Sequence, residues 1–276
     1  MGEYMLKVFD KVYTKEDIIA QLCKMNIPRD RVVLMHSSLR LIGEVEGGAE
    51  ALLDALIEYF TEEGGLFCVP THTWAFMKRD VTLDMSDPIT CLGAFSTVAL
   101  KDGRGIRSQN PTHSMVVFGN RERALEFIKD EGTISSGTNP DSCYGKLYSE
   151  GGYVLLVGVG HNRNTYVHSV DEMLGVENRL TPEPRPAVVK LESGELITRM
   201  VRTHQNPYTA DISARFKKFE IPFRYHGAIV DGFIGNAPAQ CCDARIMKDV
   251  LERIYGNEDG IDPLCDEKEI PPKWYC

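Results

Sequence analysis

Nowhere in the 276 residues is there an apolar run near the ~20 positions that a membrane-spanning helix needs. No Cys-x-x-Cys pair occurs among the eight cysteines, and no His-x-His or His-Glu-x-x-His occurs among the seven histidines. Zinc ribbons, dithiol redox centres and zincin-type sites are therefore not expected, and no metal is. An excess of positive charge is also missing: 31 Lys and Arg face 40 Asp and Glu, for a net charge of -9. That balance argues against nucleic acid and anionic membranes as partners. The opening MGEYMLKVFDKVYTKED lacks a basic stretch followed by an apolar one, so it does not read as a secretory signal. Leu6 stands where a myristoylation motif needs Ser or Thr. The expectation is a cytoplasmic protein with reduced thiols.

What is present is an ordinary globular composition, 43% hydrophobic and 26% charged, at a length within reach of one large α/β domain. Thr14 precedes Ile18, Ile19, Leu22 and Met25, an N-capped amphipathic helix that Pro28 ends. Short apolar strands are expected at 31–35, 66–69, 115–119 and 153–157, with helices at 49–60, 93–100, 122–129, 144–148, 208–218 and 237–254. A hairpin is expected around Ser193-Gly194. It makes the sheet mixed, or else 182–225 is a small insertion. The pattern predicts an α/β class with a mixed central sheet flanked by helices, one domain over 1–276, and an irregular tail from Gly256.

Polar residues collect where the strands stop. His36-Ser37-Ser38 follows one strand, Pro70-Thr71-His72-Thr73 the next, and Gly158 to His168 a third; Asn110-Pro111-Thr112-His113-Ser114 precedes a fourth. Ligands of α/β sheets bind beyond the carboxyl ends of strands. Five of the seven histidines, His36, His72, His113, His161 and His168, fall in these clusters, which points to a shared cleft. On the helix after YVLLVGVGHNRN, Asp171 and Glu172 follow His168 by three and four residues, on the His face. A carboxylate there holds an imidazole as a general base.

The blocks HSSLRLIGEVEGGAEALLDAL, GGLFCVPTHTW, NPTHSMVVFG, LLVGVGHNRNTYVH and FIGNA, in this order and spacing, resemble the aminoglycoside 3-N-acetyltransferases, also called the antibiotic N-acetyltransferase family, from about Asp30 to Ile254. The resemblance implies that family's fold, distinct from the commonest acetyltransferase superfamily. It implies acetyl-coenzyme A as cosubstrate, a small-molecule amine as acceptor, and direct transfer in a ternary complex without an acyl-enzyme. His168 matches the catalytic His. The family usually has Glu where Asp171 stands, and Glu172 follows, so either carboxylate is a candidate to orient His168. His113 touches the thioester or hydrogen-bonds the sheet. Cofactor-binding candidates are His36, Ser37, Ser38, Gly43, Thr71, His72, Thr73, Thr112 and Ser114; Ser37, Ser38 and the helix start at Gly47-Gly48 suit phosphates. Backbone N–H groups of the HSS turn, or the hydroxyls of Ser37, Thr73 or Ser114, would serve the thioester oxygen. The acceptor is the 3-amino group of an aminoglycoside or another amino sugar or small amine, with Asp80, Asp84 and Asp87 of the loop 77–91 as carboxylates for it. Two rivals are a ping-pong enzyme using Cys143, around which no nucleophile turn is recognisable, and a coenzyme A-binding module without turnover.

Overall fold

In the computed structural model, which describes residues 11–75 and 83–276, the chain forms two sheets. Its strands are β1 (Val32–Ser37), β2 (Leu66–Pro70), β3 (Leu83–Asp84), β4 (Ile106–Arg107) and β5 (Met115–Gly119). They continue with β6 (Tyr153–Val157), β7 (Arg185–Lys190), β8 (Leu196–Val201), β9 (Ile229–Ile234) and β10 (Ala237–Asp243). The helices are α1 (Lys15–Met25), α2 (Leu39–Ile42), α3 (Gly48–Thr61), α4 (Ala94–Lys101) and α5 (Arg121–Ile128), then α6 (Lys146–Ser149), α7 (Tyr166–Met173), α8 (Glu220–Tyr225) and α9 (Ala244–Tyr255). The seven-stranded sheet runs β4-β5-β2-β1-β6-β10-β9, and β3-β7-β8 form a separate small sheet.

Strands β2, β1 and β6 are parallel to one another, while β5 and β10 flank them antiparallel. The sheet is therefore mixed. Its central strands read as unbroken apolar runs because both faces are covered. Val32 and Leu34, Leu66 and Cys68, and Val154 and Leu156 point into one core, packed under α5, α7, α8 and α9. Val33 and Met35, Phe67 and Val69, and Leu155 and Val157 point into the other, under α1, α3 and α4. Alternation along each strand thus feeds two cores rather than one core and solvent.

The start of α1 is as expected: the Thr14 hydroxyl accepts from Asp17 N–H and the Asp17 carboxylate accepts from Thr14 N–H, a reciprocal cap. The expected helix over 237–254 is a correction. Residues Ala237–Asp243 are the strand β10, and only Ala244–Tyr255 is helical. Ala237, Ala239 and Cys241 enter one core and Cys242 the other, a two-residue period, so this apolar run is a strand. The Asp243 carboxylate then caps Arg245 and Ile246 N–H and opens α9. Its partner β9, not expected from sequence, joins it through Gly235, whose φ is +60°. The helix expected at 208–218 is a 3-10 segment, Ile212–Phe219. The residues after Gly256 are irregular apart from one turn, yet Leu264, Ile270 and Tyr275 are buried against α9's core. Among the described residues, no helix is long and apolar enough to cross a membrane.

Candidate active site

Parallel pairing brings the carboxyl ends of β1, β2 and β6 to one edge of the sheet, and because β5 runs the other way, its beginning lies on that edge too. All four polar clusters are therefore neighbours. The segment after β2 is zipped to the segment before β5: Thr71 N–H donates to Ser114 O at 2.8 Å, Thr73 N–H to Thr112 O at 2.9 Å, and Thr73 Oγ1 to Pro111 O at 2.8 Å. Thr71 Oγ1 and Ser114 Oγ are 3.0 Å apart, and Thr112 Oγ1 bonds Asn110 Oδ1 and His113 Nδ1.

This zipper corrects the expectation for Thr71, Thr73, Thr112 and Ser114. All four are buried, and their hydroxyls hold the wall of the cleft instead of facing a ligand. Gly43 also has a structural reason: its φ is +88°, and a Cβ there would lie 2.5 Å from Asn236 Nδ2. Gly47 and Gly48 take φ of +79° and +75° at the start of α3. His36 is 9% exposed, and its buried Nε2 has no partner among the described residues. Ser37 is half-buried beside it, whereas Ser38 N–H is committed to Val157 O.

Four imidazoles form a row. Ring centroids are 4.6 Å apart for His72 and His113, 5.0 Å for His113 and His204, and 3.9 Å for His204 and His168, whose planes differ by only 12°. Phe216 meets the His168 ring edge-on at 4.8 Å, and Ser213 Oγ lies 3.1 Å from His168 Nε2. At the other end, Tyr144 hydroxyl bonds His72 Nε2. His161 is not part of the row; it is buried against Phe223 with its Nδ1 3.1 Å from Asn164. The sequence alone does not single out His204 or Ser213, since both sit in irregular segments far along the chain from His168 and no local pattern marks them.

Neither carboxylate behind His168 bonds it among the described residues, which corrects that expectation. Asp171 is fully buried and turned the other way, accepting from Arg179 Nε at 3.2 Å and Tyr255 hydroxyl at 2.6 Å. Arg179 in turn makes a two-pronged bond to Asp262 at 2.8 Å. Glu172 accepts from Ser136 Oγ at 2.6 Å and Thr138 Oγ1 at 2.5 Å, and Thr138 Oγ1 is 2.7 Å from His204 Nε2. Glu172 therefore reaches His168 indirectly, through Thr138 and the stacked His204. A helix allows this because residues three and four after His168 share its side of α7 only loosely, and larger partners compete for both acids.

Burial is the first cause of every titration shift in the row. It holds His72, His113 and His168 well below the ordinary imidazole value, neighbouring imidazoles adding to the effect, and lowers His204 and His36 to about 4. All are neutral at pH 7. Burial raises Glu172 against the pull of its two hydroxyl donors, and lifts Asp171 to about 6 against the pull of Arg179. Cys143 is buried with its thiol pushed far up, first by desolvation, so it is no nucleophile. No group of metal-ligating side chains is found among the described residues. In the loop 77–91, Asp80 lies outside the described residues, Asp84 bonds Lys190 and Ser86, and Asp87 is exposed.

The arrangement can hold a neutral imidazole beside a polar wall, which is what removal of a proton from an amine needs. The sequence model of the aminoglycoside 3-N-acetyltransferase family matches residues 34–255. An aminoglycoside N(3)-acetyltransferase IV of Salmonella is 27% identical over 253 residues, 91% of this chain and 89% of that protein. The SPbeta prophage-derived aminoglycoside N(3')-acetyltransferase-like protein YokD of Bacillus subtilis is 29% identical over 175 residues, 56% of this chain and 63% of that protein, so the match spans less than two thirds of its length. Among solved structures, aminoglycoside acetyltransferase AAC(3)-IVa in complex with a gentamicin superposes with a TM-score of 0.74 at 22% identity, covering 95% of this chain and 98% of that one. AAC-IIIb as a binary complex with CoASH gives a TM-score of 0.73 at 18% identity, covering 87% and 94%.

Proposed function

The chain belongs to the aminoglycoside 3-N-acetyltransferase family, and from that premise we propose that it moves the acetyl group of acetyl-coenzyme A directly to an amine, with His168 as general base. The observation that carries this reading is the state of His168: buried, neutral and fixed by Ser213, Phe216 and the stacked His204 at the cleft edge. An ammonium cannot attack a thioester, so a proton must leave the amine before or during attack. With the hydrogen of His168 on Nε2, Ser213 Oγ accepts it and Nδ1 carries the lone pair that takes the amine proton. The amine nitrogen bonds the acetyl carbon, the C–S bond breaks, and the imidazolium returns its proton to the departing sulfur. Ser37 is the hydroxyl left for the thioester oxygen once Thr73 and Ser114 are committed to the wall.

The acceptor in this reading is an aminoglycoside amine. Binding of a gentamicin by AAC(3)-IVa and the net charge of -9 both support a polycation. The test is release of coenzyme A thiol from acetyl-coenzyme A in the presence of 2-deoxystreptamine aminoglycosides, simpler amino sugars and small amines. Turnover of at least one aminoglycoside is the expected result. Turnover confined to other amines would remove the antibiotic from the reading, and coenzyme A binding with no turnover at all would leave only a binding module.

Gly137 supplies a second test. A Cβ there would lie 2.2 Å from His113 Nδ1 and 2.6 Å from its Cγ. Gly137→Ala must therefore displace the second ring of the row, and kcat should fall by about 10-fold or more, since misplacement of ~1 Å costs up to ~100-fold. Unchanged kcat in the folded variant would detach His113 from the reaction.

A further inference from the structure

We propose that Glu131, which no feature of the transfer reading uses, is a positioning residue for that reaction: its carboxyl clamps together the two chain segments that hold His72 and His113. The inference rests on the acetyl-transfer reading for its effect on rate, but the clamp itself is a matter of geometry. Glu131 lies in the 3-10 segment Lys129–Gly132 and is 1% exposed. One oxygen accepts from Cys143 N–H at 2.5 Å and the other from Ser108 Oγ at 3.3 Å.

Both partners lead straight to the imidazole row. Tyr144, next to Cys143, is fully buried and bonds His72 Nε2. Ser108 is tied into β5 by two bonds, Ser108 N–H to Met115 O at 2.8 Å and Met115 N–H to Ser108 Oγ at 3.1 Å. Two residues on, Asn110 Oδ1 accepts from Thr112 N–H, Thr112 Oγ1 and His113 N–H, which sets the turn that carries His113. A single buried side chain thus spans the turn before α6 and the approach to β5. A carboxyl buried this deeply is costly unless its bonds serve the fold or the site, and an aliphatic side chain would fill the same volume without that cost.

The groups facing it are few. Lys146 comes from α6 but is held by Asp130 Oδ2 and Phe127 O; the Cys143 thiol and Tyr144 hydroxyl come from the turn; Arg199 of β8 lies against neighbouring Gly132. Burial outweighs them and pushes Glu131 up to about 7. A carboxyl raised in the folded state binds its proton more tightly there than in the unfolded chain. Stability therefore falls as pH rises from the ordinary carboxyl value through about 7.

Glu131→Gln keeps both contacts, its Oε1 accepting from Cys143 N–H and its Nε2 donating to Ser108 Oγ, while Glu131→Ala removes both. Expected for Glu131→Ala are a kcat lower by about 10- to 100-fold with the KM for acetyl-coenzyme A within about threefold, and displaced imidazole C–H resonances of His72 and His113 by NMR. Glu131→Gln should keep kcat within about threefold, leave those resonances in place, and melt higher than wild type above pH 7 but not at pH 5. Ser108→Ala, which removes one bond only, serves if Glu131→Ala does not fold, and should move the same resonances. Wild-type kcat and unmoved resonances in Glu131→Ala or Ser108→Ala overturn the proposal, as does a Gln variant that behaves like Ala in both readouts. If the wild-type protein acetylates no amine, the transfer reading fails, and the resonances still decide the clamp.

Discussion

Replacing His168 by alanine should lower kcat by about 10²- to 10⁴-fold while the Kd for coenzyme A, measured by calorimetry, changes by no more than a few-fold. In activation free energy that is about 3–5 kcal/mol. The loss belongs to kcat because the proton moves only as the amine attacks, so the interaction is made in the transition state and not on binding. The environment of the ring supports a contribution near the upper end. Desolvation and the adjacent His204 keep His168 unprotonated, so its lone pair is available throughout the neutral range. Ser213 and Phe216 restrict its rotation. The acid limb of the pH profile should therefore report the acceptor amine, not His168. Turnover that survives His168→Ala within about threefold would put the base elsewhere, with His204 next in the row.

Arg179→Leu should be the most destabilising single change at the site's periphery. The guanidinium is 3% exposed and bonds Asp171, itself at 0%, and Asp262. Removing one partner of a buried pair leaves the other uncompensated, at a cost of about 3–5 kcal/mol. For a chain of this size the melting temperature should drop on the order of 10 °C. The drop should be larger at pH 8 than at pH 5.5. Without its cation, Asp171 holds a proton in the folded state at a pH where the unfolded chain does not, so stability falls as pH rises. Calorimetry across that range checks the sign; equal losses at both pH values would mean that Asp171 is not relying on Arg179. The same network decides what Asp171 does. Asp171→Asn should lower stability and spare kcat; a kcat loss comparable to that of His168→Ala in a stably folded Asp171→Asn would restore Asp171 as the orienter of His168.

Much of the frame is readable from the chain alone, and the reasons are local. Thr14 and Asp17 announce their cap within four residues, and β1, β2 and β6 announce themselves by unbroken apolar runs ending in polar clusters. The identity of the cleft edge follows from where those clusters fall. Local patterns fail at 237–243, where an apolar stretch with a strand's period runs directly into a true helix and is masked by it. They fail also wherever a partner is distant in sequence. His168 is held by Ser213, 45 residues away, and Thr138 meets His204 across 66. The spacing of Asp171 and Glu172 places them near His168, but it carries no information about Arg179, Tyr255, Ser136 or Thr138, which capture them instead.

The register of the main sheet has a consequence for how the protein comes to be folded. The central pair joins Val33 to Tyr153 and Ser37 to Val157, residues about 120 apart, and β6 is completed on its other side only by β10. Closing so long a loop is entropically unfavourable until the strands pair, so this contact forms late and folding should be slow for a chain of this length. During synthesis, β1 and β2 can pair with one another while β1's other edge waits for a strand more than a hundred residues downstream. Until then that apolar edge is open to other chains. The cleft edge, built from the ends of β1, β2 and β6, cannot exist before that last central pairing.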